Sequence, residues 1–393
     1  MILSSKPGSL FGPENLPYGI FSPPNGGPRV GVRIDDSVLD LRVALGDSVF
    51  DADSLNQFMA QGYDRWVEVR HKVRSLFGRE VTDSAMHAIA DVKLHLPMRL
   101  GDYVDFYCSE NHATNLGRLF RPDQEPLTQN WHHLPVGYHG RSGTVVVSGT
   151  PIRRPSGQRR EDRGPVFGPS TRLDIECELG FVVGTGSTIG HPVGTADFDR
   201  HIFGVVIVND WSARDIQAWE YVPLGPNLGK SFATSISAWV VPMLALSHAR
   251  VRTPQQQAKL PYLHMDEPWG LDIDFAVTWN GTVVSTPPYR STYWSPAQML
   301  AHMTVNGAST RTGDLFASGT VSGSAKSERG AIIELTWGGA EPILVAGQQR
   351  TFLEDGDEVR LTATAPGDNN TIIGLGDCTG QILAAPDSEV PAS

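Results

Sequence analysis

The chain has 393 residues, 40% of them hydrophobic, so it can bury a large core and has the size of two or three domains. Its 32 Lys+Arg against 43 Asp+Glu leave a net charge of −11, which argues against binding nucleic acid or an anionic membrane, because both demand a basic face. With 41 Gly and 28 Pro spread among apolar runs, turns and strands are expected rather than long helices or disorder.

In chain order, Arg29 to Ile34 reads as a strand closed by an Asp35-Asp36 turn. A helical pattern follows, with Leu55, Phe58, Met59, Trp66, Val69 and Val73 at three- and four-residue steps and Gly78 as its stop. The break at Leu96-Pro97 predicts a boundary between a small β-rich domain, residues 1–97, and a larger one, residues 98–393. Beyond it, Thr144 to Ser148 is β-branched. Leu173 to Val183 alternates, placing Leu173, Ile175, Cys177 and Leu179 on one face and Asp174, Glu176 and Glu178 on the other. Phe203 to Val208 is a continuous apolar run, as in a strand covered on both faces. Asn280-Gly281 between Leu271 to Trp279 and Thr282 to Ser285 predicts a hairpin, and Ser295-Pro296 opens a helix. The fold class expected is mainly β, α+β, with sheets rolled or stacked and short helices at the edges. Cys108, Cys177 and Cys378 cannot all pair and lack CxxC spacing, so a reducing cytoplasm is expected. Neither Met1 to Gly8 nor any later apolar run resembles a signal or membrane segment.

Glu176 and Glu178 share a strand face, with backbones about 6.8 Å apart. In isolation, a solvated polar face of a half-buried strand is the better explanation. Asp210 changes the balance, because it ends a core strand. A capping role for it is redundant when Ser212 and Asp215 already fit a capping box. Three acids that cannot all ionise together predict a hard divalent cation, Mg²⁺ or Ca²⁺. Arg214, Gln217 and Tyr221 then fall on one helical face, bracketed by Asp210 and Lys230, and suit an oxyanion or a carboxylate-bearing substrate. His112 lies seven residues after Asp105, whereas His132, His133 and His139 sit in a Pro/Gly-rich segment and suit loop hydrogen bonding.

Several alternatives fail on spacing. Gly225 to Ser231 has three residues between its glycines where a P-loop needs four. Gly184-Thr185-Gly186 leads into His191-Pro192 and not into a helix, so it is no dinucleotide fingerprint. No G-x-S-x-G elbow occurs.

Longer motifs carry a resemblance. Asp105-Phe106-Tyr107, His112-Ala113-Thr114-Asn115, Leu134 to Gly140, Ser148 to Pro155, Asn209 to Gln217 and Trp219 to Pro226 together resemble the fumarylacetoacetase (fumarylacetoacetate hydrolase) family. Asn15 to Gly19, Ala317 to Thr320 and Phe352 to Val359 extend the likeness over nearly the whole chain. It implies hydrolysis of the carbon–carbon bond of 4-fumarylacetoacetate, the last step of tyrosine and phenylalanine catabolism. A homodimer is implied too, with an SH3-like N-terminal barrel and a β-rich catalytic domain. Carried over by position, Asp105, Glu176, Glu178 and Asp210 hold the metal, and His112, oriented by Glu334, is the base. Arg214, Gln217 and Lys230 stabilise the oxyanion, while Tyr107, Arg121, Tyr138, Gln217, Tyr221 and Thr320 line the substrate site. Alternation within Ile332 to Trp337 sets Glu334 opposite Ile333 and Leu335. Lys230 and Thr234 match a second, structural cation site, where Ala233 replaces the family's usual Gly. The rival readings are an acylpyruvate hydrolase, a diketo-acid decarboxylase and a silent metal-binding scaffold.

Overall fold

The computed structural model describes residues 1–386. Strands β1 (Tyr18–Ser22), β2 (Arg29–Ile34) and β3 (Ser37–Asp40) form an antiparallel meander, and the β2–β3 turn falls on Asp35-Asp36 as expected. The helical pattern after Leu55 splits into Asn56–Met59 and α1 (Tyr63–Arg74), because Gly62 turns the chain at φ 86°. Eight further elements place the chemistry. They are β4 (Tyr103–Phe106), α2 (Glu110–Phe120), β5 (Cys177–Val183), β6 (Ile202–Asp210), α3 (Arg214–Glu220), β7 (Trp239–Pro242), β8 (Leu315–Ala317) and α4 (Ile332–Leu335).

One large sheet runs in the order Met86–Ala88, β3, β2, β1, β7, β6, β5, β8, β4, Gly137–His139. The N-terminal strands expected to form an SH3-like barrel are hydrogen-bonded into this same sheet. β1 pairs with β7 through Tyr18↔Val240 and Gly19↔Trp239, which joins the N-terminal strands to the larger sheet. Gly19 permits the join, since a Cβ there would lie 2.7 Å from the Trp239 ring.

Register along this sheet decides where the acids go. Glu178 stands opposite Val208, Gly180 opposite Ala317, and Ala317 opposite Asp105. Cross-strand partners share a face, and Asp210 is two residues beyond Val208, so Asp105, Glu178 and Asp210 project from the same side. Farther along that side, Val182, Val206, Leu315 and Tyr103 pack against Leu55, Phe58, Trp66 and Val69 of the N-terminal region. The opposite side carries Cys177, Leu179, Phe181, Val205, Ile207 and Phe316 into a second core with Phe275, Val277 and Trp279. Both faces are thus covered, and the acids are buried rather than solvated.

Local expectations fare unevenly. The alternating segment Leu173 to Val183 is broken: Leu173–Asp174 pairs with Ser212–Ala213, and β5 starts only at Cys177. The Ser212–Asp215 capping box does not form, because Ser212 lies in that short pairing and donates to the Asp210 carbonyl at 3.0 Å. Asp215 instead accepts from Ser170 Oγ at 2.6 Å and the Thr171 N–H at 2.7 Å. The Asn280-Gly281 hairpin forms, although Leu271 to Trp279 is two strands, Trp269–Leu271 and Asp274–Trp279. Ser295 caps Pro296–Thr304 in a complete capping box with Gln298. Among the described residues no helix is long and apolar enough to cross a membrane.

The shared core generates a test of independence. Residues 98–393 expressed alone would expose Val182, Val206 and Leu315 to water, and they should show no cooperative thermal transition by circular dichroism. A sharp melt near that of the full chain would contradict the shared core.

Candidate active site

Asp105 from β4, Glu176 just before β5, Glu178 within β5 and Asp210 at the end of β6 each bring one oxygen to within 4.8 Å of the others. Among the described residues no other group of three or more His, Cys, Asp or Glu is so placed. Two buried cations answer part of this charge. Lys230 Nζ bonds Glu176 and lies 2.7 Å from Asp210 Oδ2, and Arg214 Nη1 is 2.8 Å from Glu176 Oε1. Tyr138 and Thr234 hydroxyls donate to Asp210 at 3.0 and 2.8 Å.

The remaining acceptors are orphans. Asp105 Oδ1 and both oxygens of Glu178 are buried without a hydrogen-bond partner. Burial, together with the neighbouring carboxylates, pushes the Asp105 and Glu178 carboxyls well above their ordinary range. Burial also lifts Glu176, but Lys230, Arg214 and His112 outweigh it and the net shift is downward. A cluster of hard oxygen donors, some already ionised and others unpartnered, fits a hard divalent cation.

Beside the acids stands an imidazole. Ser109 caps α2 by accepting the His112 N–H at 3.3 Å, which sets the helix start and aims His112 inward. His112 Nδ1 lies 2.6 Å from Glu334 Oε2, which is itself fixed by Ser322 Oγ at 2.9 Å, while Asn115 Nδ2 holds Oε1 at 2.9 Å. Burial raises the Glu334 carboxyl, yet the charge of His112 and the three hydrogen bonds reverse this, and it sits below its usual range. An ionised carboxylate only accepts, so Nδ1 carries the proton. Nε2 then points toward Glu176, 3.9 Å from Oε1.

A cavity of about 510 Å³ opens onto both groups. Arg214 and Gln217 line it from α3 and Tyr221 from the cap that ends this helix, with Lys230, Tyr107, Arg121, Tyr138 and Thr320 around them. Its apolar wall includes Leu116, Phe120, Val136 and Val222. Besides Asp105 Oδ1, two buried polar atoms among its lining residues lack partners, Arg214 Nη2 and Thr320 Oγ1. Gly319, at φ 73°, permits the turn before Thr320: a Cβ there would meet the Phe106 carbonyl at 2.1 Å. A hydrophobic slot with a few convergent polar donors is the form of a small-molecule site.

All the residues proposed from sequence thus converge, with two differences of position. Glu334 does not alternate in a strand; it lies on the single-turn helix α4, whose neighbours Ile332, Ile333 and Leu335 are buried too. Lys230 and Thr234, expected at a separate cation position, both bond Asp210 of the first cluster. His132 and His139 lie outside, near Glu110 and Asp102. Sequence reasoning missed Asn115, Ser322 and the use of Asp174. Asn115 was detectable in principle, since it follows His112 by three residues on one helix face.

A family model described as fumarylacetoacetase N-terminal matches residues 14–97, and one described as fumarylacetoacetate (FAA) hydrolase C-terminal matches residues 103–383. The chain belongs to the fumarylacetoacetase family. The family's Rattus norvegicus fumarylacetoacetase is 47% identical over 96% of this chain and 97% of its own. The Homo sapiens protein is 46% identical over 96% and 97%, and that of Oryza sativa 42% over 96% and 96%. Solved structures share the fold at lower identity. A fumarylacetoacetate hydrolase from Exiguobacterium antarcticum has a TM-score of 0.59 at 16% identity, covering 94% of this chain and 99% of that one. A maleylpyruvate hydrolase from Sphingobium has 0.55 at 13%, covering 94% and 100%.

The Glu334 site carries a pH signature. Its carboxyl is depressed in the folded state, so its stabilisation is full above the ordinary value of 4.5 and fades as pH falls through the lower folded value. Glu334→Gln should cost about 1–3 kcal/mol at neutral pH. The melting-temperature gap to the parent should hold from neutral pH down to the carboxylate range and close below it. A gap that widens on acidification would contradict the assignment.

Proposed function

We propose that this chain hydrolyses 4-fumarylacetoacetate to fumarate and acetoacetate, the final step of tyrosine and phenylalanine breakdown. One observation carries the reading: the His112–Glu334 pair, joined at 2.6 Å, presents its free nitrogen beside four clustered carboxylates in a substrate-sized cavity. Asp105, Glu176, Glu178 and Asp210 would hold a divalent cation, Mg²⁺ or Ca²⁺, which would supply Lewis acidity toward a 1,3-diketone.

The chain's own groups do the rest. His112 Nε2 removes a proton from water, and Glu334 stabilises the imidazolium that results. The hydroxide equivalent adds to the carbonyl carbon of the fumaryl unit. Arg214, Gln217 and Lys230 donate to the oxyanion that develops, and the unpartnered Arg214 Nη2 suits this role because it forfeits no other bond. Collapse breaks the carbon–carbon bond, leaves fumarate, and passes the electron pair to the acetoacetate fragment, which takes up a proton. Tyr107, Arg121, Tyr138, Tyr221 and Thr320 position the substrate, with Arg121 suited to a terminal carboxylate.

The coarser surroundings belong to the same proposal. The enzyme works in the cytoplasm as a homodimer. The exposed Trp219, Val222, Leu224 and Leu228, on or just after α3, are the kind of apolar surface that a second copy covers. A second, structural cation beside Lys230 and Thr234 also remains in the proposal, since both line a polar cavity of about 330 Å³ with Tyr103, Asn227 and Ser231. An acylpyruvate hydrolase or diketo-acid decarboxylase gains no support from the relatives, which are fumarylacetoacetases at up to 47% identity.

Loss of the diketone ultraviolet absorbance, followed with and without chelator, tests the reading. His112→Ala should lower kcat by about 10²–10⁴-fold while leaving bound metal unchanged. Glu178→Ala should instead deplete the ion, and activity should fall with metal content. Turnover by the parent that is indifferent to chelator, or retained by His112→Ala, would overturn it.

A further inference from the structure

Asp174 is a fully buried carboxylate outside the metal cluster, and the mechanism above gives it no task. Each of its oxygens accepts twice. Oδ1 takes the Ile175 N–H at 2.7 Å and the Ile332 N–H at 2.7 Å. Oδ2 takes Arg214 Nε at 2.8 Å and the Ile333 N–H at 3.0 Å. Ile332 and Ile333 open α4, where a helix's first N–H groups have no partner within the helix. The next residue is Glu334. One side chain therefore grips the guanidinium of Arg214 and the start of the turn that carries the partner of His112.

We propose that Asp174 is a positioning residue that fixes the distance between the oxyanion donors and the base pair. The assignment rests on the roles given above to Arg214 and Glu334. Arg214 has three fixed attachments, Asp174, Glu176 and Gln217, which leave only Nη2 free for a ligand. Glu334 is equally constrained by His112, Asn115 and Ser322. Each group is held locally, but Asp174 is the side chain that bonds both sides. Because the Leu173–Asp174 strand pairs with Ser212–Ala213, just ahead of Arg214, the carboxylate is delivered to this point by backbone register.

Asp174→Asn tests it, because an amide offers one acceptor oxygen and turns an N–H₂ toward donors that need an acceptor. The expected result is a kcat lower by about 10–100-fold, with KM within about threefold of the parent. Bound divalent ion should stay at the parent level, which a general loss of structure would not spare. Arg214→Gln and the double variant complete a cycle, and the double should cost clearly less than the product of the singles because both remove the same link. If the amide variant does not accumulate as folded protein, Asp174→Glu replaces it. That variant keeps the charge, displaces both acceptors by one methylene, and should lower kcat to a similar degree. A folded variant with parental kcat, or costs that multiply in the cycle, would overturn the proposal. An inactive parent would instead count against the reading of the function.

Discussion

The organising constraint is an excess of buried negative charge. Asp105, Glu176, Glu178 and Asp210 meet in buried positions, and among the described residues the lysine and arginine that oppose them directly are Lys230 and Arg214. Removing a carboxylate from water carries a penalty of several kcal/mol even after relaxation. Such a cluster persists only where the surrounding framework holds it in place or something positive completes it. Here both conditions operate, since the two fixed cations serve Glu176 and Asp210 while Asp105 and Glu178 keep unpartnered oxygens.

The framework follows from a period of two. On β5, Glu178, Gly180 and Val182 share a face, and so do Val206, Val208 and Asp210 on β6. The apolar ends of these rows are covered by the N-terminal region and the acidic ends open toward the cavity. One sheet surface is thus both core and chemical site. Gly180 keeps the rows close, because a Cβ there would meet Val208 at 2.6 Å. The N-terminal strands are continuous with this sheet through β1 and β7, so support and site belong to one hydrogen-bonded body.

Much of this was legible in the sequence, and the failures have physical causes. Alternation located Glu176 and Glu178, and a buried run located Asp210, because strand periodicity is a local property. The α3 stripe of Arg214, Gln217 and Tyr221 was legible for the same reason. Alternation could not reveal whether the acidic face met water or protein; that depends on strands far away in sequence, β8 and β4. The two-residue break at Ile175-Glu176 was hidden by a pattern that continues across it. Glu334 was misplaced in a strand because α4 is a single turn, too short for a helical period to register. The Ser212 capping box failed for a tertiary reason: pairing with Leu173–Asp174 captured the residue first. The roles of His112, Glu334 and Lys230 came from family resemblance, since nothing local in their surroundings marks them.

The central claim is that the four carboxylates form one ion site next to His112. Anomalous diffraction from a crystal grown with Mn²⁺ tests it most directly. The account predicts one strong peak per chain within coordinating reach of Asp105, Glu176, Glu178 and Asp210, with the His112–Glu334 contact intact beside it. Absence of a peak there at saturating Mn²⁺, with the orphan oxygens of Asp105 and Glu178 satisfied by protein donors, would contradict it.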